Sequence, residues 1–198
     1  MVLCPNGPLC QQVVSAVHGL RDEAGNSLLT AAQVNSSNPP PFDAPDIIVA
    51  TPAGLMTLLN GPGSAYGRLW TEEGFQAWVK HVVLDEADLM FTHAYSKPVD
   101  RILQMLRSGD RRRVEAKLYE ELGIDDDLFR HLPRELQVAG WTGGAPALLK
   151  AGFRPPNPVA PDAQFGPYWR RQYIFVAATM PSVTFNDVGS QIQYRYPQ

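Results

Sequence analysis

Cysteine is scarce: Cys4 and Cys10 are the only two in the 198-residue chain. That excludes a disulfide framework and a cysteine-based metal module, and leaves both as small buried hydrophobes. Histidine is sparse too. His18, His81, His93 and His131 fall at no metal-ligand spacing and are assigned surface or packing roles. Basic charge is not in excess, because 17 Lys and Arg against 20 Asp and Glu give a net charge of -3. A strongly basic nucleic-acid binder acting alone is thereby excluded, whereas RNA binding within a longer protein is not. No apolar run reaches the ~18 residues of a membrane span and no secretory signal opens the chain. The expectation is a soluble, intracellular protein of unspecified compartment. A hydrophobic content of 44% suits one globular α/β core at this length.

What the chain does have is a set of apolar runs that end in small, hydroxyl or acidic residues. The clearest is Val82-Val83-Leu84-Asp85-Glu86-Ala87-Asp88. A short continuous apolar run reads as a buried parallel strand, and ligands of open α/β sheets bind just beyond the carboxyl ends of such strands. Asp85 and Glu86 would stand at that edge. A second run, Asp46 to Ala50, leads into Thr51-Pro52-Ala53-Gly54, where Thr51 is suited to cap a helix and Pro52 to occupy its first turn. Tyr173 to Val176 leads into Ala177-Ala178-Thr179, and Met1-Val2-Leu3-Cys4-Pro5 reads as a fourth strand.

Together these segments resemble the first RecA-like domain of a DEAD-box RNA helicase. Asp85-Glu86-Ala87-Asp88 matches the motif that names the family. Thr51-Pro52-Ala53-Gly54 is similar to its Thr-Pro-Gly-Arg motif, and Ala177-Ala178-Thr179 to its Ser-Ala-Thr motif. Pro5-Asn6-Gly7-Pro8-Leu9-Cys10-Gln11-Gln12 resembles a worn Pro-Thr-Arg-Glu-Leu-Ala-x-Gln. The resemblance covers residues 1 to about 106 and about 168 to 198, in the family's order. It implies a parallel-sheet P-loop NTPase fold and an ATP-dependent RNA helicase, with ATP and Mg2+ as cofactors and RNA as partner. Asp85 would hold magnesium, through water, and Glu86 would activate the water that attacks the γ-phosphate. Asp88 would pair with the Ala177-Ala178-Thr179 loop, and Pro5, Thr51, Pro52 and Gly54 would face RNA.

The departures bear on function. Gly7 and Pro8 stand where the family has arginine and glutamate, the arginine of the second motif is absent, and Ala177 replaces a serine. No Gly-x-x-x-x-Gly-Lys-Ser/Thr occurs, so no loop of clustered amides and lysine cradles the β- and γ-phosphates. The chain is expected to be an incomplete ATP-binding domain, inactive alone, lacking the phosphate loop and a second RecA-like domain. A non-catalytic, helicase-derived scaffold is the alternative.

Helical spacing of Leu9, Val13, Val14, Val17 and Leu20 predicts a helix over 8–21, and Leu55, Leu58 and Leu59 a short one stopped at Gly61-Pro62-Gly63. Pro98 opens a third, with Ile102, Leu103 and Leu106 buried; Val183 to Ile192 suggests a last one. Residues 34–45, rich in Asn, Ser and Pro, read as a surface loop. Residues 107–168 read as an insertion atypical of the family and a possible site for a protein partner. Its first part is expected to be helical as far as Gly123, and Asp125 to Asp127 to cap a further turn. Its proline-rich part, 153–167, is expected to be a mobile or extended excursion. Arg111-Arg112-Arg113 reads as a solvated helix face, and Trp141, Tyr168 and Trp169 as aromatics that pin a loop to the core.

Overall fold

The computed structural model describes residues 1–35, 39–91, 94–156, 159–160, 163–166, 168, 170–178, 189–190 and 192. Two compact units are defined: Met1–Met105 with Arg171–Gln198, and Leu106–Arg170.

The first unit holds the sheet. β1 (Val2–Leu3) leads into α1 (Gly7–His18), and β2 (Ala31–Val34) and β3 (Ile47–Ala50) lead into α2 (Pro52–Asn60). Two short 3-10 turns, Pro62–Tyr66 and Arg68–Trp70, precede α3 (Glu72–Trp78). Then come β4 (His81–Leu84), α4 (Ala87–Met90), the start of α5 (Ser96–Leu122) and, after the second unit, β5 (Gln172–Phe175). The strands run β2-β3-β1-β4-β5, every pairing parallel. This is the expected α/β sheet, with helical crossovers between parallel strands.

Register sorts the side chains. Leu3 stands opposite Ala50 and Leu84, and these three are fully buried together with Val34 and Val82. On the other face Val2 stands opposite Val49 and Val83. There α1 packs Leu9, Cys10, Val13 and Val14 against Cys4 and Val49. Arg171, just ahead of β5, is buried, and its guanidinium donates to the carbonyls of Val79 and Gln76, the latter at 2.7 Å. A buried guanidinium needs such partners to offset its lost hydration.

Some expectations need correcting. β2 was not expected as a strand, and its last residue, Val34, is core rather than loop. α3 was not expected either. The helix opened at Pro98 and the helical first part of 107–168 are not two helices but one, α5, which runs on to Leu122. The helix read over Val183 to Ile192 lies largely outside the described residues.

The second unit has its own core: Leu118, Leu122, Ile124, Phe129, Ala145 and Leu148. Gly123, at φ 68°, turns the chain out of α5 in a conformation that favours glycine. Asp125 then caps α6 (Asp126–His131), its side chain accepting from the Leu128 amide. α7 (Arg134–Lys150) is two helical pieces joined by a kink at Gly144, two residues before Pro146. Phe153, Val159, Phe165 and Tyr168 pack against the core cluster, so the described part of the proline-rich segment is not the free excursion expected. Proline forbids regular pairing there without forbidding burial of the apolar residues between. Trp141 meets Phe129 edge-on at 5.5 Å and lies under Arg111 at 4.8 Å. Tyr168 donates to Glu121 and accepts from the Ala145 amide. Trp169 lies outside the described residues.

Glu115 is held above the usual carboxylate range by desolvation and, next, by the neighbouring carboxylate of Asp126. The folded state therefore takes up a proton more readily than the unfolded chain. Glu115's contribution to stability falls as pH rises from its ordinary value, about 4.3, through the folded one. Glu115→Gln is expected to raise Tm near neutral pH and to change it little below about pH 4. Melting curves at the two pH values check this; equal shifts at both would contradict it.

Candidate functional site

Because the strands are parallel and in register, their carboxyl ends share one edge of the sheet. Leu3 aligns with Ala50 and Leu84, and Leu84 with Phe175. The next residues, Cys4, Thr51, Asp85 and Val176, therefore open onto that edge. Backbone hydrogen bonds stitch it together. The Cys4 amide donates to Ala50 at 3.0 Å, Asp85 to Leu3 at 2.9 Å and Val176 to Leu84 at 2.9 Å. Segments far apart in sequence, around Pro5, Thr51, Asp85 and Ala177, are thus assembled along one line.

The turn after β4 is the least ordinary part of this edge. Glu86 adopts φ 53°, ψ 49°, and among the described residues it alone is a non-glycine with positive φ. For an L-residue this costs about 1–2 kcal/mol. Such strain persists where the surroundings over-determine it, and it concentrates at functional sites. Three contacts hold it. The Asp85 carboxylate accepts the Glu86 amide at 3.1 Å, the Glu86 carbonyl accepts from Met90 at 2.9 Å, and the Ala87 amide donates to Val176 at 2.8 Å. Phe91 and Phe175 add a ring contact at 6.1 Å. Asp85, Glu86 and Asp88 are all half-buried, and Asp88 accepts the Leu89 amide at 3.0 Å.

The acidic turn and the end of β5 are therefore tied through the backbone amide of Ala87. Ala177 and Ala178 follow directly, and Thr179 lies outside the described residues. Thr51 caps α2 as expected, its hydroxyl accepting from the Gly54 amide at 3.2 Å, with Pro52 buried in the first turn. A Cβ at Gly54 would stand 2.9 Å from the Thr51 hydroxyl and 3.6 Å from the Val34 carbonyl. The cap thus packs closest where a side chain is missing, and a long basic residue would have to displace it. Pro5 is buried, and Asn6 caps α1 by accepting from the Leu9 amide at 3.0 Å. Sequence reasoning gave Asn6 no role, although Asn before Gly-Pro is a helix-start signal. Among the described residues, no three His, Cys, Asp or Glu side chains converge as a metal cluster. None of the helices described is long and apolar enough to cross a membrane.

An all-parallel sheet with helical crossovers and a strained acidic turn at its carboxyl edge is the framework of a RecA-like α/β domain. The chain belongs to the DEAD/DEAH box helicase family, whose sequence model matches residues 1–122. It is 32% identical over 215 aligned positions to a rice protein named DEAD-box ATP-dependent RNA helicase 22, an alignment covering 100% of this chain and 36% of the relative. An Arabidopsis thaliana protein of the same name is 37% identical over 134 positions, covering 68% of this chain and 22% of the relative. The chain thus spans about a third or less of the length of these curated relatives. Pro5, Thr51, Pro52, Gly54, Asp85, Glu86 and Asp88 fall inside the family match. Ala177, Ala178 and Thr179 fall beyond it, within the stretch aligned to the rice protein.

Proposed function

We propose that this chain supplies one wall of the ATP site of an ATP-dependent RNA helicase, as an incomplete first RecA-like domain acting inside the cell. The observation that carries this reading is the left-handed Glu86, held by Asp85 at the carboxyl edge of the sheet. Asp85 is the first of the carboxylates at that edge, which suits magnesium, a cation that keeps several waters and takes one or two carboxylates beside substrate phosphates. When bound, magnesium neutralises charge on the β- and γ-phosphate oxygens. Asp85 would hold it, through water, and Glu86 would orient and deprotonate the attacking water. The Ala87 to Val176 hydrogen bond links this turn to the end of β5, and Asp88 with Ala177, Ala178 and Thr179, which follow in the sequence, would couple the nucleotide to RNA. Pro5, Thr51, Pro52 and Gly54 lie on the RNA side, with fewer charged contacts because of Gly7, Pro8 and Gly54. The phosphate-cradling loop comes from outside these 198 residues. Residues 107–168, of which only 107–122 lie within the family match, would take a protein partner.

The test is ATP turnover. Residues 1–198 alone are expected to stay at background, whereas a longer protein carrying this domain should hydrolyse ATP with magnesium, faster with single-stranded RNA. Robust turnover by residues 1–198, lost in Glu86→Gln, would refute the missing-loop reading. A second reading, a non-catalytic scaffold, is favoured by the loss of charged residues at Gly7, Pro8 and Gly54. Full-length protein that binds no nucleotide would establish it.

A further inference from the structure

The first unit has a second concavity at the edge of the sheet away from the acidic turn. Because every pairing is parallel, the starts of β1, β3 and β4 share one edge just as their ends share the other. A groove of about 410 Å³ opens there. Apolar side chains line it: Val2, Ile47 and Val83 from the strands, Leu69 from the second 3-10 turn and Val79 from the end of α3. Trp78 stands beside them and is 65% exposed, although indole rings are highly buried on average. Lys80 and His81 line the β4 side, both exposed, and Lys80 makes no ion pair among the described residues. On the β3 side the Asp46 carboxylate is already engaged, accepting the Thr30 amide and the Thr30 hydroxyl, each at 2.8 Å.

We propose that this groove binds a planar aromatic molecule carrying one anionic group. The size fits, since pockets for small organic ligands begin near ~300 Å³ and combine an apolar lining with a few placed polar groups. Removing ring surface from water against the apolar lining supplies most of the affinity. Trp78 adds a face for offset or edge-on ring contact. Charge sets the orientation, because the Lys80 ammonium attracts an anion and the Asp46 carboxylate repels one. The anionic group therefore turns to the β4 side. A cationic ligand is the poorer match, since the acidic group on the lining is Asp46, already engaged with Thr30. The groove lies at the opposite edge from Asp85 and Glu86, so a ligand there leaves the acidic turn open.

The native chain is titrated with anilinonaphthalene sulfonate, an aromatic anion that fluoresces when its rings leave water. Saturable binding of one dye per chain is expected. Trp78→Ala should weaken it about 2- to 10-fold, the worth of one aromatic contact, and Lys80→Met about 2- to 5-fold, the worth of an exposed ion pair. Phenylnaphthylamine, a neutral analogue without the sulfonate, should lose affinity in Trp78→Ala and keep it in Lys80→Met. Both residues are exposed, so both variants should fold, which far-ultraviolet circular dichroism checks. A longer protein carrying this domain should show the same Trp78-dependent binding. The proposal is overturned by a native chain that binds no dye saturably, by full dye affinity in either variant, or by an equal loss of the neutral analogue in Lys80→Met. Loss of binding in the longer protein, where neighbouring chain would then fill the groove, overturns it as well.

Discussion

Glu86→Gln, placed in a longer protein that completes the site, is expected to lower RNA-stimulated kcat by roughly 100- to 10,000-fold, the range contributed by a positioned general base. That corresponds to about 3–5 kcal/mol of transition-state stabilisation. The amide preserves the shape of the side chain and cannot take a proton. The left-handed backbone and its three hydrogen bonds lie in the main chain and the Asp85 carboxylate. KM for ATP should therefore move only a few-fold, since ground-state binding is untouched. Glu86→Gly provides the contrast. It should also abolish turnover, yet glycine adopts φ 53° without steric cost, so the fold should gain up to about 1 kcal/mol. Steady-state kinetics and melting of both variants give the answer. An unchanged kcat in Glu86→Gln would remove Glu86 from the chemistry.

Trp70→Ala is expected to cost about 3–5 kcal/mol, a large part of the ~5–15 kcal/mol that holds a domain together. Trp70 is fully buried, its ring lies 6.3 Å from that of Phe75, and its indole N–H donates to the Pro41 carbonyl at 2.8 Å. Truncation leaves a cavity and removes the donor that fastens the 39–45 segment. Trp70→Phe keeps most of the packing and loses the hydrogen bond, so it should cost about 1–2 kcal/mol. Urea denaturation followed by far-ultraviolet circular dichroism separates the two. A loss below about 1 kcal/mol in Trp70→Ala would mean that the site collapses around the smaller residue.

The sheet was legible where strands carry continuous apolar runs, as at Ile47–Ala50 and at Val82, Val83 and Leu84 of β4, because packing on both faces leaves an unbroken run. Thr51 with Pro52, Gly123 and Asp125 were legible because each satisfies a helix end by local chemistry. β2 was not. Ala31-Ala32-Gln33-Val34 has weak strand propensity, and four registered pairs with β3 make it a strand. α3 did carry a signal, Thr71 capping the Gly74 amide with Glu72 and Glu73 in the first turn, and it was passed over. In the site, residue types at strand ends could be read. The left-handed Glu86 could not, because nothing in Asp-Glu-Ala-Asp states that the chain must turn at once from β4 into α4. The Ala87 to Val176 bond joins residues too distant for any local pattern to reveal.

The Arg171 contacts have an evolutionary consequence. By gripping the carbonyls of Val79 and Gln76, this side chain sets where the returning chain enters the sheet, so that Gln172 aligns with His81. The alignment is fixed from the sheet side, whatever the length of chain between Leu106 and Arg170. Residues can be gained or lost in that interval while Ala177 keeps its station beside the acidic turn. The segment is therefore free to diversify under selection for other tasks.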